Sequence, residues 1–258
     1  MPDAPMLEQV AEIAAEAGRI AHARSGGAFR QWEKVPGHPV CEIDLEIDAF
    51  LRERLTALDP DAGWLSEETL DASDRYERRR TWVVDPIDGT RDYLRGRPGW
   101  CVSVALVEDR VPVIGVLDAP ARGERWSAAR GQGAFRNGVR LRVSGRADFA
   151  GARVPADKLA AVDAGLVAVA KPNSIALRIA MVAAGEADLV ATLRWGFEWD
   201  IAAAALIAAE AGARVTGAFG QPFAFNTHSG EAFGVVVATP GIHAAVVDHI
   251  RERALEIV

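Results

Sequence analysis

The sequence predicts an α/β protein made of an α+β first half, residues 1–140, and an α/β second half, residues 141–258. Three observations carry that expectation. Apolar residues recur at helical spacing near the start, short β-rich runs begin at Trp82, and strand and helix patterns alternate after about residue 140.

Leu7, Val10, Ile13, Ala14, Ala17, Ile20 and Ala21 share one helical face, and Ser25-Gly26-Gly27 stops the pattern. Ile43, Ile47, Phe50, Leu51 and Leu55 write a second helix that ends before Asp59-Pro60. Asp44 stands at its beginning, where a carboxylate complements the helix dipole. Trp82-Val83-Val84, Cys101 to Val107 and Val111 to Leu117 read as strands, the last two joined by a hairpin at Glu108-Asp109-Arg110. The second half then gives a strand over Leu166 to Ala170, a helix from about Ser174 to Ala184, and a strand over Asp188 to Ala191. A helix from Trp199 to Ala211 follows, then strands at Arg214-Val215-Thr216 and Phe233 to Ala238, and a last helix after Pro240-Gly241. No linker rich in Pro, Gly or Ser parts the halves, so they are expected to share one continuous body.

Composition narrows the function classes. The 258 residues carry 29 Lys+Arg against 36 Asp+Glu, a formal charge of −7, which excludes a nucleic-acid binder built on a basic surface. Cys41 and Cys101 are too few for a disulfide framework and match no zinc spacing, so a reducing cytoplasm is the expected compartment. Asp3, Glu8, Glu12 and Glu16 do not suit a secretory leader. The longest uncharged apolar run, Ile201 to Ala209, falls far short of the ~20 residues that cross a bilayer. A soluble protein with neither nucleic acid nor membrane as partner is expected.

The most informative stretch is Trp82-Val83-Val84-Asp85-Pro86-Ile87-Asp88-Gly89-Thr90. A hydrophobic strand delivers Asp85 at its end, and Pro86 cannot continue as a ladder donor. Asp88 lies three residues on, so a turn can aim both carboxylates at one point. Gly89-Thr90 lead into a segment whose free backbone N–H groups can hold an anion. An ordinary Asx-rich turn would explain this string alone. Further acids change the balance: Glu67-Glu68 after Leu65-Ser66, Asp200 at the head of a very apolar helix where a cap alone would also explain it, and Asp44. If Glu67, Asp85, Asp88 and Asp200 converge, each like-charged pair at about 5 Å costs roughly 3 kcal/mol at an effective dielectric of about 20. Such a cluster needs cations, and oxygen ligands without His or Cys point to Mg²⁺ or Mn²⁺.

Glu67-Glu68, Asp85-Pro86-Ile87-Asp88-Gly89-Thr90 and Trp199-Asp200-Ile201-Ala202-Ala203, in this order, closely resemble the three signatures of the inositol monophosphatase superfamily over essentially the whole chain. The resemblance implies a layered αβαβα sandwich and a Mg²⁺-dependent phosphomonoesterase with two or three ions, Mn²⁺ a possible substitute. It also implies lithium sensitivity, a homodimer and a small phosphorylated metabolite as substrate. Carried over by position, Glu67, Asp85, the Ile87 carbonyl, Asp88 and Asp200 would bind metal, with Asp85 bridging two ions. Glu67 would also orient the attacking water, Thr90 bonded to Asp44 would help deprotonate it, and the Gly89 and Thr90 amides would hold the phosphate. Cys41 stands where the family usually has Thr, and His38 where the nucleotidase branch often has Ser.

Thr90-Arg91-Asp92-Tyr93-Leu94 resembles the 3'(2'),5'-bisphosphate nucleotidase branch more than the inositol branch. That flank, with Leu65-Ser66-Glu67-Glu68 and Glu198-Trp199-Asp200, implies hydrolysis of 3'-phosphoadenosine 5'-phosphate to AMP. Leu193, seven residues before Asp200, stands where inositol-hydrolysing relatives usually place an acid. Gly123-Glu124-Arg125-Trp126 is reminiscent of the histidinol-phosphatase branch, so inositol 1-phosphate and histidinol phosphate stay as alternatives, as does a partner-binding regulatory protein with incidental phosphatase activity. Arg91, Ser174 and Lys171 are candidate substrate contacts, with Lys171 facing a second phosphate or simply solvent. Trp195 and Trp199 are candidates to wall the pocket and stack a base. Gly131-Gln132-Gly133 fails the dinucleotide fingerprint and reads as a turn.

Overall fold

The computed structural model describes residues 3–34, 37, 39–71 and 73–257; His38 lies outside them. Alternation along the β-rich runs sets the architecture. In β4 (Arg80–Asp88) and β5 (Cys101–Glu108), Trp82, Val84, Val102, Val104 and Leu106 point to one face and Val83, Cys101, Ala105 and Val107 to the other. A strand apolar on both faces has to be covered twice. α1 (Asp3–Arg24) and α2 (Glu42–Leu58) cover the first face through Val10, Ala14, Ile43, Ile47 and Leu51. α4 (Ile175–Ala183) and α5 (Glu198–Glu210) cover the second.

The main sheet runs β3 (Gly63–Ser66), β4, β5, β6 (Val111–Ala119), β7 (Glu124–Ala129), β8 (Gly133–Arg136) and β9 (Val139–Arg140). Only β3 and β4 are parallel, with Leu65 opposite Val83; every other pair is antiparallel. The expected hairpin joins β5 to β6, with Asp109 and Arg110 at φ 50° and 67°, the left-handed pair that two-residue hairpins require. Pro86 has no ladder partner, as expected, but the strand does not end at Asp85. β4 runs on to Asp88 and absorbs the missing N–H in a bulge, since Asp85 pairs with Ser103 and Asp88 with Cys101.

A second, three-stranded sheet lies beyond α4 and α5: β12 (Leu189–Ala191), β16 (Val236–Ala238) and β14 (Arg214–Thr216). Val190 and Val237 face the two helices, while Leu189, Val236 and Ala238 face α6 (His243–Leu255). The layers are therefore helix, sheet, helix, sheet, helix, as expected. The run Phe233 to Ala238 is two strands rather than one. β15 (Glu231–Phe233) and β16 are broken at Gly234, φ +62°, where a Cβ would lie 2.8 Å from the Thr192 carbonyl oxygen. β15 pairs with β13 (Trp195–Phe197) beside the mouth of the site. The hairpin of β1 (Gln31–Glu33) and β2 (Pro39–Cys41) leads into α2, and β10 (Arg153–Pro155) pairs with β11 (Val167–Val169). Among the described residues no helix is long and apolar enough to cross a membrane.

Candidate active site

The alternation of Trp82, Val83 and Val84 between two cores fixes the direction in which β4 releases its acids. Asp85 is buried, and its Oδ1 accepts the Ile87 N–H at 2.9 Å. The bulge turns Asp88 toward the start of α4, where its Oδ2 accepts the Ser174 hydroxyl at 2.5 Å and the Ala176 N–H at 2.8 Å. Gly89 has φ +97°, and a Cβ there would lie 2.7 Å from the Gly99 carbonyl oxygen and 2.9 Å from the Ser174 nitrogen. Only glycine lets the short helix α3 (Thr90–Leu94) begin at this point.

Asp200 is the third residue of α5, and its Oδ2 accepts the Phe197 N–H at 3.3 Å, so the cap exists. It is also more than a cap. Asp85, Asp88 and Asp200 place carboxylate oxygens within 4.8 Å of one another, although over a hundred residues separate Asp88 from Asp200. Glu67 follows β3 and lines the same cleft outside that trio, with Lys34 Nζ 3.3 Å from its Oε1 and 2.5 Å from Glu68 Oε1.

Asp44 is buried in the first turn of α2. Its Oδ2 accepts the Cys41 backbone N–H at 2.8 Å and the Cys41 thiol at 2.9 Å, so Asp44 reaches back to the residue that opens the helix. Its Oδ1 accepts the Thr90 hydroxyl at 3.3 Å, and Thr90 Oγ1 also lies 3.0 Å from the Ile87 carbonyl oxygen. Thr90 thus bridges Asp44 and the Ile87 carbonyl.

Burial dominates the electrostatics. It lifts the Asp85 carboxyl well above its ordinary value, reinforced by Glu67, Asp88 and Asp200. Asp200 is pushed up to about 8 by burial and then by Asp88 and Glu67. Asp88 reaches only about 6, because the Ser174 and Ala176 bonds oppose the desolvation. Asp44 is also pushed to about 6 by burial, and Glu68 to about 7, in each case against favourable hydrogen bonds. Three acids that raise one another's cost of ionisation, with oxygen donors only, fit a divalent cation of the Mg²⁺ or Mn²⁺ kind.

The cleft has a volume of about 350 Å³ and opens between the acids and a wall that includes Arg91, Lys171, Arg178 and Arg194, with Trp195 and Trp199 at its side. Of the candidate substrate contacts, Arg91 lines it while donating to the Gly37 carbonyl, and Lys171 lines it while paired with Asp157 at 2.5 Å. Ser174 is fully buried, its oxygen engaged by Asp88 and by the Leu177 N–H, so it positions an acid instead of facing the cleft. The rest of the Arg91 flank is structural: Tyr93 donates to the Ala21 carbonyl at 2.8 Å, and Asp92 accepts the Asn173 N–H. Leu193 packs under α6, leaving Arg194 to face the cleft. Arg178 and Arg194 were not singled out from the sequence. An arginine inside the apolar run Ile175-Ala176-Leu177-Arg178-Ile179 was the available signal for the first; the second had none.

A layered fold with three converging aspartates on a small polar cleft defines a class of hydrolytic sites, and the comparisons specify it. The sequence profile of the inositol monophosphatase family matches residues 3–254. The 3'(2'),5'-bisphosphate nucleotidase CysQ of Aggregatibacter actinomycetemcomitans is 31% identical over 86% of this chain and 87% of its own. The histidinol-phosphatase of Mycobacterium tuberculosis is 34% identical over 89% and 91%, and the inositol-1-monophosphatase of Mycobacterium leprae 38% identical over 87% and 81%. The solved Thermotoga maritima IMPase superposes with a TM-score of 0.83 at 28% identity, covering 98% of this chain and 100% of that one. The chain belongs to the inositol monophosphatase family and is a hydrolase of phosphate monoesters. The family generally uses divalent metal ions.

Proposed function

We propose that the chain is a Mg²⁺-dependent phosphomonoesterase whose preferred substrate is 3'-phosphoadenosine 5'-phosphate, released as AMP and phosphate. The buried trio Asp85, Asp88 and Asp200 carries the metal-dependent part of this reading. Glu67, Asp85, the Ile87 carbonyl, Asp88 and Asp200 would hold two or three ions. When bound, such ions neutralise phosphoryl oxygens and make a water acidic enough to attack at neutral pH. The chain's own residues do the rest. Glu67 orients the attacking water. The Thr90 hydroxyl takes a proton from it while passing its own to Asp44, whose carboxyl, pushed to about 6, sits near the working pH. The Gly89 and Thr90 N–H groups at the head of α3 receive the phosphate oxygens. No covalent intermediate is needed, and both cysteines are buried.

Residues 1–140 carry Glu67, Asp85 and Asp88, and residues 141–258 complete the site with Asp200. The nucleotide is favoured by the cationic wall and by Leu193 turning away from the cleft. Inositol 1-phosphate is the second reading, favoured by the 38% identity of the Mycobacterium leprae relative. The test is phosphate release, with and without Mg²⁺, from the bisphosphate, inositol 1-phosphate and histidinol phosphate in parallel, with Asp88→Asn as control. A Mg²⁺-dependent preference for the nucleotide that vanishes in the variant supports the reading. Preference for either other ester removes the substrate assignment, and no turnover removes the enzyme mechanism. A cytoplasmic homodimer inhibited by Li⁺ is part of the same proposal; light scattering showing a monomer at micromolar concentration would remove the dimer.

A further inference from the structure

Two of the four cations on the cleft wall are engaged elsewhere: Lys171 by the Asp157 carboxylate and Arg91 by the Gly37 carbonyl. Arg178 is different. Its Nε donates to the Pro172 carbonyl at 2.8 Å and its Nη2 to the Asn173 carbonyl at 2.5 Å. Those bonds fix the guanidinium plane and leave Nη1 without an acceptor among the described residues. No carboxylate among the described residues pairs with it. Arg194, also on the cleft, forms neither an ion pair nor a side-chain hydrogen bond among the described residues. Burial, countered by Asp88 and reinforced by Arg194, pulls Arg178 below its ordinary value, so the two guanidiniums feel each other.

Two guanidiniums on one cleft wall, one of them partly desolvated and held rigid, repel each other and so offer a site for an anion that joins them. Guanidinium groups match phosphate oxygens in geometry and leave little freedom to lose when already fixed. Beside them Trp195 is 55% exposed, tilted against Phe233 at 5.4 Å, with the cleft alongside. An indole left this open on a binding cleft is a platform for a flat ring. A cleft of about 350 Å³ accommodates a nucleotide-sized ligand.

We propose that Arg178 and Arg194 form a subsite for a second phosphate of the substrate and that Trp195 stacks its planar base, so that the site selects a nucleoside bisphosphate over a polyol phosphate. This rests on the phosphatase reading above and assigns its selectivity to residues apart from the acids.

The test compares adenosine 3',5'-bisphosphate with adenosine 3'-monophosphate, which keeps the scissile ester and lacks the second phosphate. The wild type is expected to favour the bisphosphate at least tenfold in kcat/KM, through KM. Arg194→Gln should reduce that ratio about tenfold, and Arg178→Lys, which keeps the charge but loses the fork, should reduce it less. Trp195→Ala should raise KM for both nucleotides. Calorimetric titration of adenosine 5'-phosphate gives a readout independent of turnover: saturable binding should weaken at least fivefold in Arg194→Gln. Equal rates on the two nucleotides, or an unchanged ratio and unchanged binding in Arg194→Gln, overturn the subsite. If no ester is hydrolysed in Mg²⁺ the phosphatase reading fails separately, and the calorimetric comparison still decides the subsite.

Discussion

The Asp200 carboxylate caps α5 through the Phe197 amide and at the same time lies within 4.8 Å of oxygens of Asp85 and Asp88. Asparagine can keep the cap and remove the charge, so the two roles separate experimentally. Asp200→Asn should raise the melting temperature of the metal-free protein at pH 8, by roughly 2–4 °C for each kcal/mol of repulsion relieved. Mg²⁺-dependent hydrolysis should fall at least about a hundredfold, since a metal-held charge is worth several kcal/mol in the transition state. Calorimetry in EDTA reads the first and phosphate release the second; an unchanged melting temperature would mean that the trio is not strained. Ser174 acts through another residue. Its hydroxyl donates to Asp88 and accepts from Leu177, so Ser174→Ala removes a helix cap and a support for Asp88, a proposed metal ligand. The cap is worth about 1 kcal/mol. Loss of the support should weaken Mn²⁺ binding by about 10–100-fold, measured by titration. A change in melting temperature alone would make Ser174 a cap and nothing more.

α5 reads as a helix in the sequence, but its alanines make sense only once its neighbours are known. It lies between the two sheets, buried from Ile201 to Ala208, and crosses β6 where a Cβ on Gly115 would come within 2.6 Å of the Ala203 carbonyl oxygen. Gly115→Ala should therefore destabilise the fold by about 1–3 kcal/mol, because backbone cannot retreat as a side chain can. Denaturant unfolding reads this directly; a neutral result would mean that α5 can slide outward. The same dependence on neighbours explains what the sequence reveals and what it hides. α1, α2, β4 to β6 and the C-terminal alternation were legible because each has its own periodic apolar pattern. β7 to β9 were not, since polar Arg125, Arg136 and Arg140 interrupt the short strands at the sheet edge. In the site, Asp85, Asp88 and Asp200 were legible as acids at a strand end and a helix head. Ser174's service to Asp88 and the placing of Arg178 and Arg194 on one cleft depend on how distant elements meet, which no local pattern records.

One core runs through both halves, with Val83, Ala105 and Leu117 of the main sheet packed with Ile179, Ala202 and Val237 from the second half. A charge change at the acids that meet across it therefore affects the whole molecule. Burial raises Asp44 and Asp88 to about 6, Glu68 to about 7 and Asp200 to about 8, so the metal-free folded protein keeps protons that the unfolded chain releases near pH 4. The unfolded state then binds fewer protons, and metal-free stability falls as pH rises from about 4 to 8. Divalent ions compete with those protons, so Mg²⁺ should release protons on binding, bind more tightly toward pH 8 and flatten the decline. Asp188 has the opposite sign. Its burial is outweighed by bonds from Arg153 and Ser144 that hold it at about 2, so its contribution is present above about pH 4 and is lost as pH falls through 2. Melting temperatures measured from pH 5 to 8.5 should fall in EDTA and hold nearly level in Mg²⁺, the gap widening with pH. A metal-free curve that rises over this range would show that the acids are not the groups that set the stability of the chain.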